Sequence, residues 1–124
     1  MADRTPIPRL IDIVEAIEHV HAVLAGVPLD VFEADWQKRW LVERGVEIIS
    51  EASRHLGDEL KARHPEIPWS KVAGIGNVLR HDYQRTAPDV LWKLAEADLP
   101  PLEKVCRQEL ESEQQREHGK FSEE

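Results

Sequence analysis

The sequence contains few of the features that organise small secreted, metal-binding or membrane proteins. Among its 124 residues there is a single cysteine, Cys106, which excludes an internal disulfide, and no Cys/His cluster suggests a zinc site. No stretch approaches the roughly 20 apolar residues that cross a bilayer, and the N-terminus has no apolar signal-peptide core. We therefore expect a cytoplasmic protein with no membrane contact, no metal and no cofactor, in which Cys106 is a buried structural thiol.

The composition is that of one folded domain, with 41% hydrophobic and 32% charged residues. A net charge of −8 argues against broad, non-specific binding to nucleic acids, which requires a basic surface. The charge is uneven, however, because residues 61–93 carry +3 and the rest of the chain carries −11. This distribution is compatible with a local cationic site on an acidic body, and also with ordinary solvated surface.

Apolar residues recur at spacings of three and four and never alternate with period two, which predicts an all-α bundle of four or five helices. The first helix is predicted to begin near Pro8 and to end near Gly26. Asp30 is predicted to cap a second helix of about 25 residues, longer than the average helix, that ends near Gly57. Two prolines within His64–Trp69 predict a connection there.

The C-terminal third is punctuated by prolines. Pro88 is predicted to begin a helix, and Pro100-Pro101 to break it before a last helix. These boundaries predict one helical domain over residues 1–110 and a polar, frayed tail over residues 111–124.

One segment, Gly76–Tyr83 (GNVLRHDY), concentrates polar and titratable residues within two predicted helical turns. Because a helix advances about 100° per residue, residues four apart share a face. Asn77 and His81 are therefore predicted to lie on one face, and Gly76 and Arg80 on a neighbouring one.

These residue types suit chemistry on a phosphodiester. Histidine exchanges a proton near neutral pH, arginine neutralises charge on phosphate oxygens, and asparagine can orient either group. In RNA the 2′-hydroxyl is an internal nucleophile, so the reaction needs no metal. The other interpretation is structural: His81 would stabilise the C-terminus of its helix as a cation, and Arg80 and Asp82 would be solvated surface.

The chain also resembles the HepT-like family of the HEPN superfamily over roughly Arg9–Leu110. The most specific part of the resemblance is the run IPW…AG…N…H.Y. The matching segments are LIDIVEAIEHV (residues 10–20), VERGVEIISEASRHL (42–56), PEIPWSKVAGIGNVLRHDY (65–83) and VLWKLAEADLPPL (90–102).

This resemblance implies a homodimer whose motif helices line a shared cleft, and a metal-independent endoribonuclease that is the toxin of a toxin–antitoxin pair. The family pattern, typically R-N-x-x-x-H-x-Y, implies that His81 is catalytic, that Asn77 assists it, and that Tyr83 can be modified. The modification would be AMP addition by a partner minimal nucleotidyltransferase, the antitoxin.

The motif arginine is missing, because Gly76 occupies its position. Helical side chains lean toward the N-terminus, so Arg80, one turn later, could fold back over the glycine, and we hypothesise that it replaces the usual arginine as a catalytic residue. The alternative is a catalytically silent HEPN dimer that binds the nucleotidyltransferase and is AMPylated on Tyr83.

Two further patterns concern packing and surface charge. The four tryptophans are predicted to pack in the core or at a dimer interface, in preference to stacking on bases. Glu43, Glu47 and Glu51 are predicted to form an acidic stripe. The arginines predicted to pair partly with that stripe are Arg39, Arg44 and Arg54.

Overall fold

The computed structural model describes residues 5–81 and 88–122, with side chains for residues 5–76 and 88–117. Every regular element in these ranges is helical, which confirms the predicted all-α fold. The elements are α1 (Ile7–Leu24), α2 (Leu29–Ala34), α3 (Trp36–Arg54), α4 (Asp58–Ala62), α5 (Trp69–His81), α6 (Pro88–Lys93), a π-helical turn (Leu94–Asp98) and α7 (Leu99–Ser122). Helices α1, α3, α5 and α7 form the bundle, and the shorter helices connect them.

Helix α1 lies at the centre of the bundle and packs against both α3 and α7. Its predicted apolar face is confirmed, since all six predicted positions are buried. These positions are Leu10, Ile13, Val14, Ile17, Val20 and Leu24. From α7, Cys106 joins the same core, and burial raises the pKa of its thiol to about 12, as expected for a structural cysteine.

The predicted second helix is in fact two helices, so the assignment of Asp30 as its cap was wrong. Asp35 adopts an extended conformation between α2 and α3, and its Oδ1 accepts hydrogen bonds from the backbone N–H groups of Gln37 and Lys38, each at 3.1 Å. These bonds, above all that from Lys38, lower the pKa of Asp35. When an aspartate side chain caps the helix that follows it, it competes with the continuation of the preceding helix. The spacing of the apolar residues alone did not reveal this break.

The prolines at positions 100 and 101 do not break the chain into separate helices, which corrects that prediction. The backbone N–H of Leu99 bonds to the carbonyl of Leu94, five residues earlier, in the π-helical turn. Pro100 and Pro101 then occupy the first turn of α7, where missing N–H groups leave few hydrogen bonds unmade. Helix α7 continues without interruption to Ser122, so the predicted boundary at residue 110 coincides with no helix end, and fraying beyond it stays a prediction.

Glu109 on α7 forms hydrogen bonds that hold the segment after α4 against the bundle. Glu109 accepts hydrogen bonds from Arg63 Nε and Nη2 at 3.2 and 2.8 Å, and its Oε2 lies 2.6 Å from His64 Nε2. The Glu109 side chain is only 8% exposed. The hydrogen bond from Arg63 lowers the pKa of Glu109, with a further contribution from His64, against the opposing effect of burial.

The four tryptophans divide into two pairs. Trp69 and Trp92 are partly buried against the core, with Trp92 6.2 Å from Phe32 between ring centroids. Trp36 and Trp40 are 53% and 60% exposed and meet edge to face at 5.1 Å. Core packing is therefore confirmed for the first pair. The second pair is exposed in the single chain, and its predicted place at a dimer interface stays a prediction. None of the described helices is long and apolar enough to cross a membrane.

Close contact between α1 and α3 depends on Gly45. A Cβ atom at this position would lie 2.6 Å from Val20 Cγ2, whereas a Cβ on Gly74 in α5 would meet no described atom within 4 Å. Alanine favours a helix over glycine by up to about 1 kcal/mol, and overpacking costs about 1–3 kcal/mol.

We therefore expect opposite effects from the same substitution. Gly45→Ala should lower the free energy of unfolding by about 1–2 kcal/mol, and Gly74→Ala should raise it by about 0.5–1 kcal/mol. Urea unfolding followed by circular dichroism measures both. Stabilisation by Gly45→Ala would show that α1 and α3 do not approach each other this closely.

Candidate active site

The GNVLRHDY segment begins within the last two turns of α5. The backbone is helical from Trp69 to His81, which confirms the predicted helix over the first part of the motif. The side chains of Asn77, Arg80 and His81 lie outside the described part of the structure, as does all of Tyr83. Their predicted roles, and the hypothesis that Arg80 replaces the motif arginine, stay predictions.

Helix α3 packs along α5 and holds its backbone through one buried serine. Ser50 is 1% exposed, and its Oγ donates to the carbonyl of Ala73 at 2.7 Å and accepts from the N–H of Gly76 at 3.2 Å. It also accepts from Arg54 Nη2 at 3.3 Å. A hydroxyl offers one donor and two acceptor positions, so Ser50 is fully satisfied. This bridge sets the position of α5 at the first residue of the motif.

The bridge also explains a glycine within the helix. A Cβ on Gly76 would lie 3.1 Å from Ser50 Oγ, 3.4 Å from Ser50 Cβ and 3.5 Å from Arg54 Nη2. A larger side chain would therefore require Ser50 or Arg54 to move. Gly76 allows α3 and α5 to approach closely, and Ser50 and Arg54 occupy the adjoining space.

Arg54, the last residue of α3, brings a guanidinium to the start of the motif. Its Nε donates to the carbonyl of Ala73 at 3.1 Å, and its Nη1 lies 3.4 Å from Glu51 Oε2. The side chain is 38% exposed, so part of the guanidinium faces solvent. The predicted pairing of Arg54 with the acidic stripe is confirmed by Glu51, and that of Arg44 by Glu47 at 3.5 Å.

Glu51 has a second hydrogen-bonding neighbour, His55, whose Nε2 lies 3.0 Å from Glu51 Oε1. The hydrogen bond with His55 lowers the pKa of Glu51, and the charge of Arg54 adds to the effect. The carboxylate therefore stays ionised at neutral pH and partly offsets the positive charge beside the motif. We call Ser50, Glu51, Arg54 and Gly76 the α3–α5 junction.

The sequence did not single out Ser50 or connect Arg54 with the motif. Ser50 and Gly76 are 26 residues apart, and Arg54 and Ala73 are 19 apart, so only helix packing brings them together. One weak signal was present: a glycine within a helix suggests a close approach of a neighbouring element.

Two of the four cations that the structure describes within residues 61–93 form ion pairs. Arg63 bonds to Glu109, and Lys71 Nζ lies 3.1 Å from Asp98 Oδ2. These contacts favour ordinary surface for both residues. A cationic site in this region would therefore depend on other cations near the end of α5.

Comparison with known proteins assigns the chain to a family. Residues 13–109 match the family described as Ribonuclease HepT-like, a range that includes α3 and α5 entirely. No solved structure matches the chain significantly.

Two relatives are similar over most of their length. A protein of Thermococcus cleftensis named "Probable ribonuclease HepT" is 37% identical over 91 residues, 73% of this chain and 83% of the relative. "Putative RNase MJ1380" of Methanocaldococcus jannaschii is 32% identical over 95 residues, 77% of this chain and 87% of the relative. The family match begins within α1, ends within α7 and includes the α3–α5 junction and the GNVLRHDY segment, and the chain belongs to the HepT-like ribonuclease family.

Proposed function

We propose that this protein is an endoribonuclease that cleaves RNA at the C-terminal end of α5 without a metal ion. The observation that carries the proposal is the family match across residues 13–109. This range covers the GNVLRHDY segment, in which the resemblance implies roles for Asn77 and His81. A buried serine and a partly exposed guanidinium beside the same helix turn support it. In line with what the family resemblance implies, the protein would be the toxin of a toxin–antitoxin pair and would act on tRNA or mRNA in the cytoplasm.

The proposed reaction uses the RNA's own 2′-hydroxyl. The 2′-oxygen forms a bond to phosphorus while the bond from phosphorus to the 5′-oxygen breaks, which leaves a 2′,3′-cyclic phosphate and a 5′-hydroxyl. His81 moves the proton between these oxygens, and a nearby guanidinium stabilises the charge that builds on the phosphate. No step requires a metal-bound water.

We also propose that the protein acts as a homodimer. Large apolar side chains are exposed on α2, α3 and α6, helices that contact one another, and exposed apolar patches mark protein interfaces. They are Val31, Trp36, Trp40, Leu41 and Val90. Light scattering should give twice the chain mass of 14.2 kDa, and a monomer at micromolar concentration would contradict this proposal.

The test of the ribonuclease proposal is incubation of the purified protein with tRNA and with mRNA in a buffer containing EDTA. We expect discrete fragments that end in a cyclic phosphate, and this end group identifies the 2′-hydroxyl as the nucleophile. Intact RNA, or cleavage that disappears in EDTA, would contradict the proposal.

One observation favours a second candidate function: Gly76 stands where the resemblance places an arginine. The chain would then be a silent dimer that binds a minimal nucleotidyltransferase and carries AMP on Tyr83. Co-expression with a minimal nucleotidyltransferase, followed by intact mass measurement, tests this. AMP-sized mass increments on Tyr83 of a protein that leaves RNA intact would favour this function. If the two proteins do not copurify and the mass of this chain is unmodified, the result would count against it.

A further inference from the structure

We propose that Arg54, at the end of α3, supplies the phosphate-binding cation of the α5 site. The proposal rests on the ribonuclease function proposed above and assigns one of its functional groups to a different helix from the motif.

The first argument is position. Arg54 Nη2 lies 3.5 Å from the point where a side chain at position 76 would leave α5. The guanidinium thus borders the turn of α5 from which the motif's first side chain would project. The glycine leaves this space to an arginine from the neighbouring helix.

The second argument is anchoring. Nε and Nη2 of Arg54 are held by the carbonyl of Ala73 and the hydroxyl of Ser50, at 3.1 and 3.3 Å. Both partners are uncharged and belong to the α3–α5 junction, so they orient the guanidinium without neutralising it. A preorganised cation stabilises developing charge better than a mobile one.

The third argument is the number of remaining donors. A guanidinium has five N–H donors, and three make the contacts recorded with Ala73, Ser50 and Glu51. Among the residues whose side chains the structure describes, no partner takes the remaining N–H on each Nη, which leaves two donors for the oxygens of a phosphate. The 38% exposure of the side chain gives such a ligand access.

The charged neighbour of Arg54 does not remove its capacity to bind an anion. The contact with Glu51 is long, at 3.4 Å, and Glu51 is more exposed than Arg54, at 59%. The other carboxylate oxygen of Glu51, Oε1, lies 3.0 Å from His55 Nε2, so Arg54 is not the sole hydrogen-bond partner of Glu51. An entering phosphate can therefore replace Glu51 at Nη1 while the two neutral contacts remain.

The experiment compares Arg54→Gln and Arg54→Lys with Arg44→Gln as a matched control. Arg44 is on the same helix, roughly 15 Å away along its axis, and forms the equivalent ion pair, with Glu47. Two readouts are measured: the rate of tRNA cleavage, and the salt dependence of binding to a labelled 2′-O-methyl oligonucleotide that cannot be cleaved. Thermal unfolding reports on folding.

We expect Arg54→Gln to slow cleavage about 100-fold and to reduce the slope of log K against log salt by about 1. Arg54→Lys should recover the slope, and Arg44→Gln should change neither readout. An unchanged slope and rate for Arg54→Gln would overturn the proposal, as would a lower melting temperature with an unchanged slope, since that would show a purely structural role. Loss of both readouts in Arg80→Gln, with Arg54→Gln unaffected, would assign the cation to Arg80 instead.

A transplant variant tests the position directly. In the triple variant Arg54→Gln, Ser50→Gly, Gly76→Arg, the space beside α5 is cleared and the arginine returns on α5 itself. Recovery of the salt slope relative to Arg54→Gln supports the proposal, and no recovery in a folded protein counts against it.

Failure of the ribonuclease proposal is separable from failure of this one. If wild type and His81→Ala both leave RNA intact, the enzyme assignment fails, and the salt slope of oligonucleotide binding still decides the role of Arg54. If wild type cleaves RNA and Arg54→Gln cleaves it equally fast with the same slope, only the Arg54 proposal fails.

Discussion

His81→Ala is expected to reduce RNA cleavage by about 100- to 10,000-fold, the range contributed by general acid–base catalysis. His81 is the last residue of α5 that the structure describes and lies four positions after Asn77, so the two positions are on the same face of one helix. Alanine keeps the helix but cannot take a proton from the 2′-hydroxyl or return one to the leaving 5′-oxygen. Initial rates of tRNA cleavage in EDTA measure the effect.

A matched control is His19→Ala, which removes an exposed histidine from α1. It should cleave at the wild-type rate, and both variants should show the wild-type helical spectrum. Equal rates for His81→Ala and wild type would show that His81 is not the proton-transfer residue. A loss of activity together with a loss of helical signal would assign His81 to the structure instead.

Glu109→Ala is expected to lower the free energy of unfolding by about 3 kcal/mol. Removing one partner of a buried ion pair typically costs 3–5 kcal/mol. We expect the low end of this range because the Arg63 side chain is 44% exposed and can be hydrated once Glu109 is removed. The loss remains substantial because the His64 side chain is only 15% exposed and can be hydrated much less. Against a total stability of about 5–15 kcal/mol for a small domain, this is a large change, measurable by urea unfolding.

The control for Glu109→Ala is Glu18→Ala. Glu18 is also 2.8 Å from an arginine, Arg107, but both side chains are about half exposed. An exposed pair contributes about 0–1 kcal/mol, so the same distance should give a much smaller effect. Similar losses for the two variants would show that burial does not set the strength of the Glu109 contacts.

The contribution of Glu109 to the free energy of unfolding should decrease as the pH falls. Its pKa is lowered in the folded protein, chiefly by Arg63, so the unfolded chain binds the proton more tightly. The stabilisation is therefore fully present above the pKa of an unfolded glutamate, about 4.3, and disappears as the pH falls through the lower folded value. The stability difference between wild type and Glu109→Gln should shrink as the pH falls below the pKa of an unfolded glutamate.

Much of the fold was predictable because helices are local structures. The apolar positions of α1 repeat at three and four residues, and all six are buried as expected. The connection before Trp69 followed from proline's fixed backbone and missing N–H. The helix predicted after Pro88 is also present, over Pro88–Lys93. These features depend on neighbours within one or two turns.

The incorrect predictions arose where two local signals competed. Apolar spacing continued past Asp35, yet its carboxylate caps α3 and separates it from α2. Conversely, Pro100-Pro101 suggested a break, yet the π-helical turn before them let the chain continue into α7. Periodicity describes which residues can share a face, and the backbone hydrogen bonds decide where each helix begins.

The sequence by itself determined the all-α class, the resemblance to the HepT-like family, and the placement of Asn77 and His81 one turn apart on a helix. All of these follow from residue identity and short-range spacing. Only the tertiary structure brought Arg54 beside Gly76 and Glu109 onto Arg63, pairs that come from different helices or connections. The physical reason is that packing of α3 on α5, and of α7 on the bundle, depends on the sum of many apolar contacts across the chain, which no local pattern records.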